Sequence, residues 1–149
     1  MAGASLPQGL PSDQPFWGFP ASDLVLRFRA PALKGREGAI VNEITVQDLK
    51  AKLDAEEPLF LLDVREPFEF EIGAIAGSTL LPLGEIMRRS DELEPPEEAV
   101  VITICHHGVR SLQAAGILMH QLGIENEVLS LKGGIDAWSA LIDPSVPRY

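Results

Sequence analysis

The residues best suited to chemistry lie in one short segment: Cys105, His106, His107, Gly108, Val109, Arg110 and Ser111. Cys105 is the single cysteine of the 149-residue chain; it follows the apolar run VVITI and precedes a pattern typical of an amphipathic helix. A thiolate is a nucleophile, and the unsatisfied N–H groups at a helix N-terminus stabilise an anion. The segment therefore predicts a reactive thiolate, or a persulfide anion, held by backbone amides.

Two other residues of the segment support an anion-binding loop. Gly108 permits the positive φ angle that a loop wrapped around the sulfur requires. Arg110 adds a positive charge with a planar set of donors suited to oxyanions. We expect the amides of residues 106–111 to hold the anion. An inert buried cysteine, the alternative, would explain Cys105 but not the glycine and arginine that follow it.

The three histidines are open to more than one interpretation. His106 and His107 could tune the charge of the loop or move protons, and a plain surface position explains either one equally well. His120 falls near the end of a predicted helix, where contact with the helix dipole suffices. One cysteine and three histidines without a zinc-type spacing do not indicate a metal site, and no cofactor is expected.

Strand and helix patterns alternate around this loop. Strands are predicted at residues 59–64, 79–83, 100–104 and 126–131. Helices are predicted at 46–53 after an N-cap at Thr45, at 84–93, at 111–122 and at 133–141. The 111–122 helix is expected to bury a stripe of Leu112, Ala115, Met119 and Leu122. The alternation predicts an α/β fold whose parallel sheet is covered by helices on both faces.

The ends of the predicted strands indicate where a ligand would bind. Asp63, Cys105 and Lys132 each fall at or just after the end of a strand. Ligands of open parallel sheets bind beyond the carboxyl ends of the strands. We therefore expect the three residues at one edge of the sheet, with the cysteine loop on it.

Charge and composition limit the classes of partner. Residues 45–149 carry 8 basic and 18 acidic side chains, which accounts for the whole net charge of −10. An acidic surface repels nucleic acid and anionic membranes, so neither is an expected partner. No apolar run approaches the roughly 20 residues of a membrane span, and the first residues do not resemble a secretory signal. With a lone cysteine, these features favour a cytoplasmic location.

The first part of the chain differs in composition from the rest. Residues 1–40 contain five of the twelve prolines and five of the thirteen glycines, which predicts an extended arm. Phe16, Trp17 and Phe19 are expected to dock on the domain or on a partner. Residues 41–149 are expected to form one domain, long enough to bury a sizeable core.

From about Asn42 to Leu141 the chain resembles the rhodanese homology domain, a family of sulfurtransferases. LLDVREPFEFEIGAIAGS resembles the first signature of the family, CHHGVRS its active-site loop and LKGGIDAW its closing motif. The resemblance implies a rhodanese-like fold with a five-stranded parallel sheet between helices. Ala74 stands where the family commonly has histidine, at a position tied to local structure.

Other residues within these motifs are expected to be structural. Asp63 and Arg65 are interpreted as an ion pair and turn, not as catalysts. Gly133 and Gly134 are expected to form a tight turn. Trp138 is expected to anchor the core.

Together these features predict a sulfurtransferase. The Cys105 thiolate would take a sulfane sulfur from thiosulfate or a persulfide, and a thiol or cyanide would then remove it. The ending IDPSVPRY resembles the ends of rhodanese domains fused to adenylating enzymes that load sulfur-carrier proteins, so a sulfur carrier is a further candidate partner. A non-catalytic interaction module stays open. A phosphatase or arsenate reductase is disfavoured, because those sites need five residues between cysteine and arginine, and this chain has four.

Overall fold

A computed structural model of the protein describes residues 40–149, in which five strands form one sheet. The strands are β1 (Asn42–Ile44), β2 (Leu59–Asp63), β3 (Thr79–Leu80), β4 (Val100–Ile104) and β5 (Val128–Leu131). The helices are α1 (Val46–Asp54), α2 (Pro67–Ile72), α3 (Val109–Gly116) and α4 (Gly134–Leu141). All strand pairs are parallel, in the order β1-β5-β4-β2-β3. The predicted α/β class with a five-stranded parallel sheet is confirmed.

The central strand β4 determines where the cysteine lies. It pairs with β2 from Leu59 opposite Val100 to Asp63 opposite Ile104, and with β5 on its other side. Because all three strands run in the same direction, their last residues meet at one edge. We call this the carboxyl edge of the sheet, and Cys105 follows β4 directly at that edge.

Apolar side chains cover both faces of the sheet. On one face, Leu49 of α1 and Trp138 of α4 pack with Ile102 and Ile104 of β4. On the other face, Ala114 of α3 packs with a second cluster that includes Cys105 itself. The cysteine is therefore part of the core as well as of the loop. No helix within residues 40–149 is long and apolar enough to cross a lipid bilayer.

Several predicted elements differ from the structure. The prediction of a helix at 84–93 is wrong, because this segment contains two short 3₁₀ turns, Leu83–Glu85 and Ser90–Glu92. Ile86 is the one buried residue between positions 84 and 93, so a longer helix would have no apolar face to pack. Strand β1 and helix α2 were not predicted. They have only three and six residues, which is too short to show a periodic pattern in the sequence.

The helix predicted at 111–122 exists, and most of its predicted stripe faces the core: Ala115 is buried, and Met119 and Leu122 are partly buried against the second cluster. It begins at Val109 and continues past Gly116 as a π-helical turn, Ile117–Gln121. Ser111, Ala114, Ala115 and Leu118 are its buried residues. Leu112, predicted to be buried, is 36% exposed. Small residues face the sheet and let the helix approach it closely.

The predicted N-cap of α1 is confirmed, because the Thr45 hydroxyl accepts a hydrogen bond from the Asp48 amide at 3.0 Å. The arm predicted at residues 1–40, including Phe16, Trp17 and Phe19, lies outside the described residues except for Ile40.

Candidate active site

Cys105 lies at the centre of a loop that connects β4 to α3. Its Sγ accepts a hydrogen bond from the Gly108 amide at 3.0 Å and another from the Ser111 amide at 3.3 Å. Gly108 is the N-cap of α3 with φ of 112°, a conformation that favours glycine. The loop thus turns back on itself, and two N–H groups at the start of α3 point at the sulfur.

A hydroxyl pair lies beneath the sulfur. The Oγ of Ser111 is 3.6 Å from the Cys105 Sγ, donates to the Gly108 carbonyl at 3.1 Å and lies 2.7 Å from the Oγ of Ser130 on β5. Both serines are fully buried. The buried Thr103 hydroxyl donates to the Ser111 carbonyl at 2.9 Å, which ties the first turn of α3 to β4. These hydrogen bonds fix the position of the loop relative to strands β4 and β5.

The start of α4 holds the loop from the other side. The Ile135 amide donates to the Cys105 carbonyl at 2.8 Å, and the Asp136 amide donates to the His106 carbonyl at 3.0 Å. Gly134 makes this approach feasible: a Cβ there would lie 2.4 Å from both carbonyl oxygens. Sequence reasoning predicted a tight turn at Gly133 and Gly134, and the structure adds this contact to the cysteine loop.

Arg110 is bound to a carboxylate that the sequence analysis did not identify. Its Nη1 and Nη2 donate to Oε2 and Oε1 of Glu69 at 2.7 and 2.9 Å. The side chain of Glu69 is 7% exposed and that of Arg110 is 32% exposed. The hydrogen bonds from Arg110 hold the pKa of the Glu69 carboxyl at about 2, below its usual 4.5. Glu69 is therefore an anion at every physiological pH.

Tyr149 joins this ion pair to a second one. Its hydroxyl donates to Oε1 of Glu69 at 2.8 Å and accepts from Nη1 of Arg65 at 3.0 Å. Arg65 and Asp63 form a fully buried ion pair with an Nη2–Oδ2 distance of 2.7 Å. Arg65 also donates to the carbonyl of Gly73, so this predicted structural residue connects β2, α2 and the last residue of the chain.

The segment before Tyr149 is anchored at several points. Val146 is buried in the core, and its carbonyl accepts from the Ser139 hydroxyl of α4. Arg148 forms a bidentate ion pair with Asp136 at 2.9 and 3.1 Å. Pro147 packs so closely on Gly73 that a Cβ there would lie 2.7 Å from the proline ring. These contacts bring Tyr149 to the cysteine loop.

The histidines of the loop form an aromatic stack with Tyr149. The rings of His106 and Tyr149 are 4.0 Å apart, and those of His106 and His107 are 3.8 Å apart. Burial, with a smaller contribution from His107, lowers the pKa of His106, which keeps this ring neutral at neutral pH. His107 is exposed, as is Val109 with 68% of its surface. His106 therefore packs against the loop, while His107 and Val109 face outward.

The structure thus gathers Cys105, Gly108, Arg110 and Ser111 at the carboxyl edge. Trp138, predicted as a core anchor, is 5% exposed and packs in the core beneath α4. Glu69, Ser130 and Tyr149 were missed as site residues. Glu69 belongs to the motif EPFEFEIG and Tyr149 to the ending IDPSVPRY. Both segments belong to the resemblance to the rhodanese family, and no local pattern predicts that they meet.

Comparison with known proteins assigns the family. Residues 45–141 match the model of the rhodanese-like domain, and the chain belongs to that family. The chain is 39% identical over 100 residues to a sulfurtransferase of Allochromatium vinosum, covering 67% of this chain and 90% of that protein. The crystal structure of a rhodanese-related protein from Thermoplasma volcanium has a TM-score of 0.57 and 34% identity, covering 71% of this chain and 95% of that one.

Some relatives are longer proteins. The chain is 33% identical over 106 residues to the probable adenylyltransferase/sulfurtransferase MoeZ of Mycobacterium tuberculosis, covering 71% of this chain but 26% of that protein. It spans 38% and 51% of two other curated relatives. The comparisons thus concern one domain that occurs alone and within larger proteins.

Proposed function

We propose that the protein is a sulfurtransferase that carries a sulfane sulfur as a persulfide on Cys105. The observation that carries this proposal is the geometry around the Cys105 sulfur. Its Sγ accepts hydrogen bonds from two backbone N–H groups at the start of α3. Amides arranged in this way stabilise an anion without adding a mobile charge. The match to the rhodanese-like family supports the same conclusion.

The reaction proceeds in two nucleophilic steps. The Cys105 thiolate attacks the outer sulfur of thiosulfate or of a persulfide, a new S–S bond forms, and the donor leaves as sulfite or a thiolate with the electron pair of its broken S–S bond. The negative charge now rests on the outer sulfur. The amides of Gly108 and Ser111 hold the anion in this state, and the Ser111 hydroxyl can turn from the Gly108 carbonyl to donate as well. A thiol or cyanide then takes the outer sulfur and restores the thiolate.

A sulfur-carrier protein is a second class of acceptor. MoeZ, a relative over 71% of this chain, is named for both adenylyl transfer and sulfur transfer. The ending IDPSVPRY, which resembles the ends of such fused domains, lies against the cysteine loop through Tyr149. A carrier would therefore meet that segment together with the loop.

Sulfur transfer to cyanide tests the proposal. With thiosulfate as donor, the wild-type protein should form thiocyanate, and Cys105→Ser should lower kcat/KM at least about a thousandfold, because an alcohol forms no persulfide. Unfolding curves of both proteins should coincide within about 1 kcal/mol, since serine is close to isosteric. Equal turnover by the serine variant would refute the mechanism. An inactive wild-type protein would favour the interaction module, and hydrolysis of an aryl phosphate would favour the phosphatase.

A further inference from the structure

Arg110 does not present a free positive charge to a ligand. Both terminal nitrogens of its guanidinium are engaged by the carboxylate of Glu69 in a bidentate pair. Glu69, in the first turn of α2, is itself fixed by two further hydrogen bonds: it accepts from the Glu66 amide at 3.0 Å and from the Tyr149 hydroxyl at 2.8 Å. A carboxylate held in this way cannot easily move aside for an incoming anion.

The charges connected to this pair sum to zero. Asp63 and Arg65 neutralise one another, Glu69 and Arg110 do the same, and the Tyr149 hydroxyl joins the two pairs. Three of these four charged side chains are at most 7% exposed, so solvent screens them little. The anion held at Cys105 is therefore stabilised mainly by backbone amides.

We propose that Glu69 is a specificity-determining residue, which cancels the charge of Arg110 and makes the site favour singly charged sulfur donors over doubly charged ones. The proposal rests on the sulfurtransferase function and names the class of donor. A dianion approaching Sγ gains no net attraction from the neutral pair. The attraction that an uncompensated Arg110 would provide is half as large for a monoanion as for a dianion. Cancelling that charge therefore weakens the binding of a monoanion less.

Two donors with the same chemistry and different charge make the test. Thiosulfate is a dianion, and methanethiosulfonate is a monoanion. Each gives its outer sulfur to the Cys105 thiolate, and the donor S–S bond breaks to release sulfite from the first and methanesulfinate from the second. In a two-step reaction kcat/KM for the donor reports only this first half. The ratio of kcat/KM for the two donors therefore isolates the effect of charge.

Glu69→Gln should raise the kcat/KM of thiosulfate relative to methanethiosulfonate about tenfold, mainly through KM, because it leaves Arg110 uncompensated. Glutamine can still accept from the Glu66 amide, since a capping box tolerates it. Glu69→Asp keeps the charge and should keep the wild-type ratio. Glu57→Gln removes an equal charge from an exposed pair with Lys52, just before β2 at the opposite edge of the sheet, and should change the ratio less than about twofold.

Alkylation of Cys105 tests the same charge without any sulfur transfer. Iodoacetate and iodoacetamide react with the same thiolate and differ by one charge. In the wild-type protein the iodoacetate-to-iodoacetamide rate ratio should not exceed that of a small free thiol. In Glu69→Gln it should rise several-fold. The wild-type measurement stands even if the variant does not fold.

The outcomes separate the two claims. Ratios that stay unchanged in Glu69→Gln, or a wild-type alkylation ratio far above that of the free thiol, would overturn the role of Glu69. A ratio that shifts equally in Glu69→Asp would show that the side chain acts through packing, and would also overturn it. If the wild-type protein takes sulfur from neither donor, the sulfurtransferase function itself fails, while the alkylation ratios still decide the role of Glu69.

Discussion

Cys105 combines two properties that conflict in most proteins. Its side chain is 1% exposed, yet the proposed reaction requires an anion on its sulfur. Burial of an anion is costly unless polar groups replace the lost water. The amides of Gly108 and Ser111 supply that replacement at fixed distances. Reactivity at this residue therefore depends on how firmly the loop holds its amides in place.

Glu69 makes the stability of the protein depend on acid. Arg110 lowers the pKa of the Glu69 carboxyl to about 2 in the folded protein, from about 4.5 in the unfolded chain. The carboxylate therefore stabilises the fold fully above the pKa of the unfolded chain, and this stabilisation is lost as the pH falls through the pKa of the folded protein. Stability should thus decrease between about pH 4.5 and pH 2, with up to about 3 kcal/mol from this group. Denaturant unfolding across this range should show a shallower decrease in Glu69→Gln. An identical slope in the variant would mean that other carboxyls control acid unfolding.

At the scale of elements, the loop is held between two helix N-termini. The start of α3 directs amides at the sulfur, and the start of α4 directs the Ile135 and Asp136 amides at the carbonyls on the other side of the loop. The Gly108 and Ser111 amides on one side of the loop and the Cys105 and His106 carbonyls on the other are thereby held in place. The distance between α4 and the loop should control activity.

Gly134→Ala tests that distance. A Cβ there would lie 2.4 Å from the Cys105 and His106 carbonyl oxygens, and the backbone on both sides would have to move apart. We expect sulfur transfer to fall at least about tenfold and the free energy of unfolding to fall by more than about 2 kcal/mol.

Gly123→Ala is the matched control. Gly123 has φ of +63°, close to the +62° of Gly134, but no atom would lie within 4 Å of its Cβ. Gly123→Ala should therefore lower the free energy of unfolding by only about 1 kcal/mol, the cost of the backbone strain, and should leave sulfur transfer unchanged. Similar losses in the two variants would mean that backbone conformation, and not contact with the loop, explains the effect of Gly134.

Local patterns predicted the elements that are long and periodic, and failed where contacts are distant. The cysteine loop was predictable because Cys105, Gly108 and Arg110 lie within six consecutive residues. Glu69 meets Arg110 across 41 residues because β2 and β4 are neighbours in the sheet. It meets Tyr149 across 80 residues because the segment before Tyr149 is anchored on α4 and on Gly73. Short elements such as β1 carry too few residues for a pattern. In the segment 84–93, Arg89 pairs with Glu85 and Glu92 at helical spacing, yet the backbone forms only short 3₁₀ turns there.

At the scale of the whole molecule, charge opposes the approach of anions. Residues 45–149 carry the entire net charge of −10, while the connected charged groups beside the loop cancel. The surface therefore acts as a repulsive background that added salt screens, with a screening length of roughly 8 Å at 0.15 M.

The rate of sulfur transfer to a small thiol should reflect this background. From low salt to about 0.15 M, transfer to mercaptoacetate, whose carboxylate is anionic, should accelerate about two- to threefold. Transfer to uncharged 2-mercaptoethanol at the same pH should change less, because only its thiolate carries charge. A steep decrease with salt for the anionic thiol would instead identify a basic docking surface on the protein.

The persulfide on Cys105 is the central claim, and intact mass spectrometry tests it most directly. The chain has one cysteine, so a bound sulfur cannot be discharged as an internal disulfide and must wait for an external acceptor. After incubation with thiosulfate and gel filtration without reductant, the wild-type protein should gain the mass of one sulfur atom. Cyanide should remove it, and Cys105→Ser should never gain it. A wild-type mass unchanged by thiosulfate and by a persulfide donor, or an equal gain in the serine variant, would contradict the account.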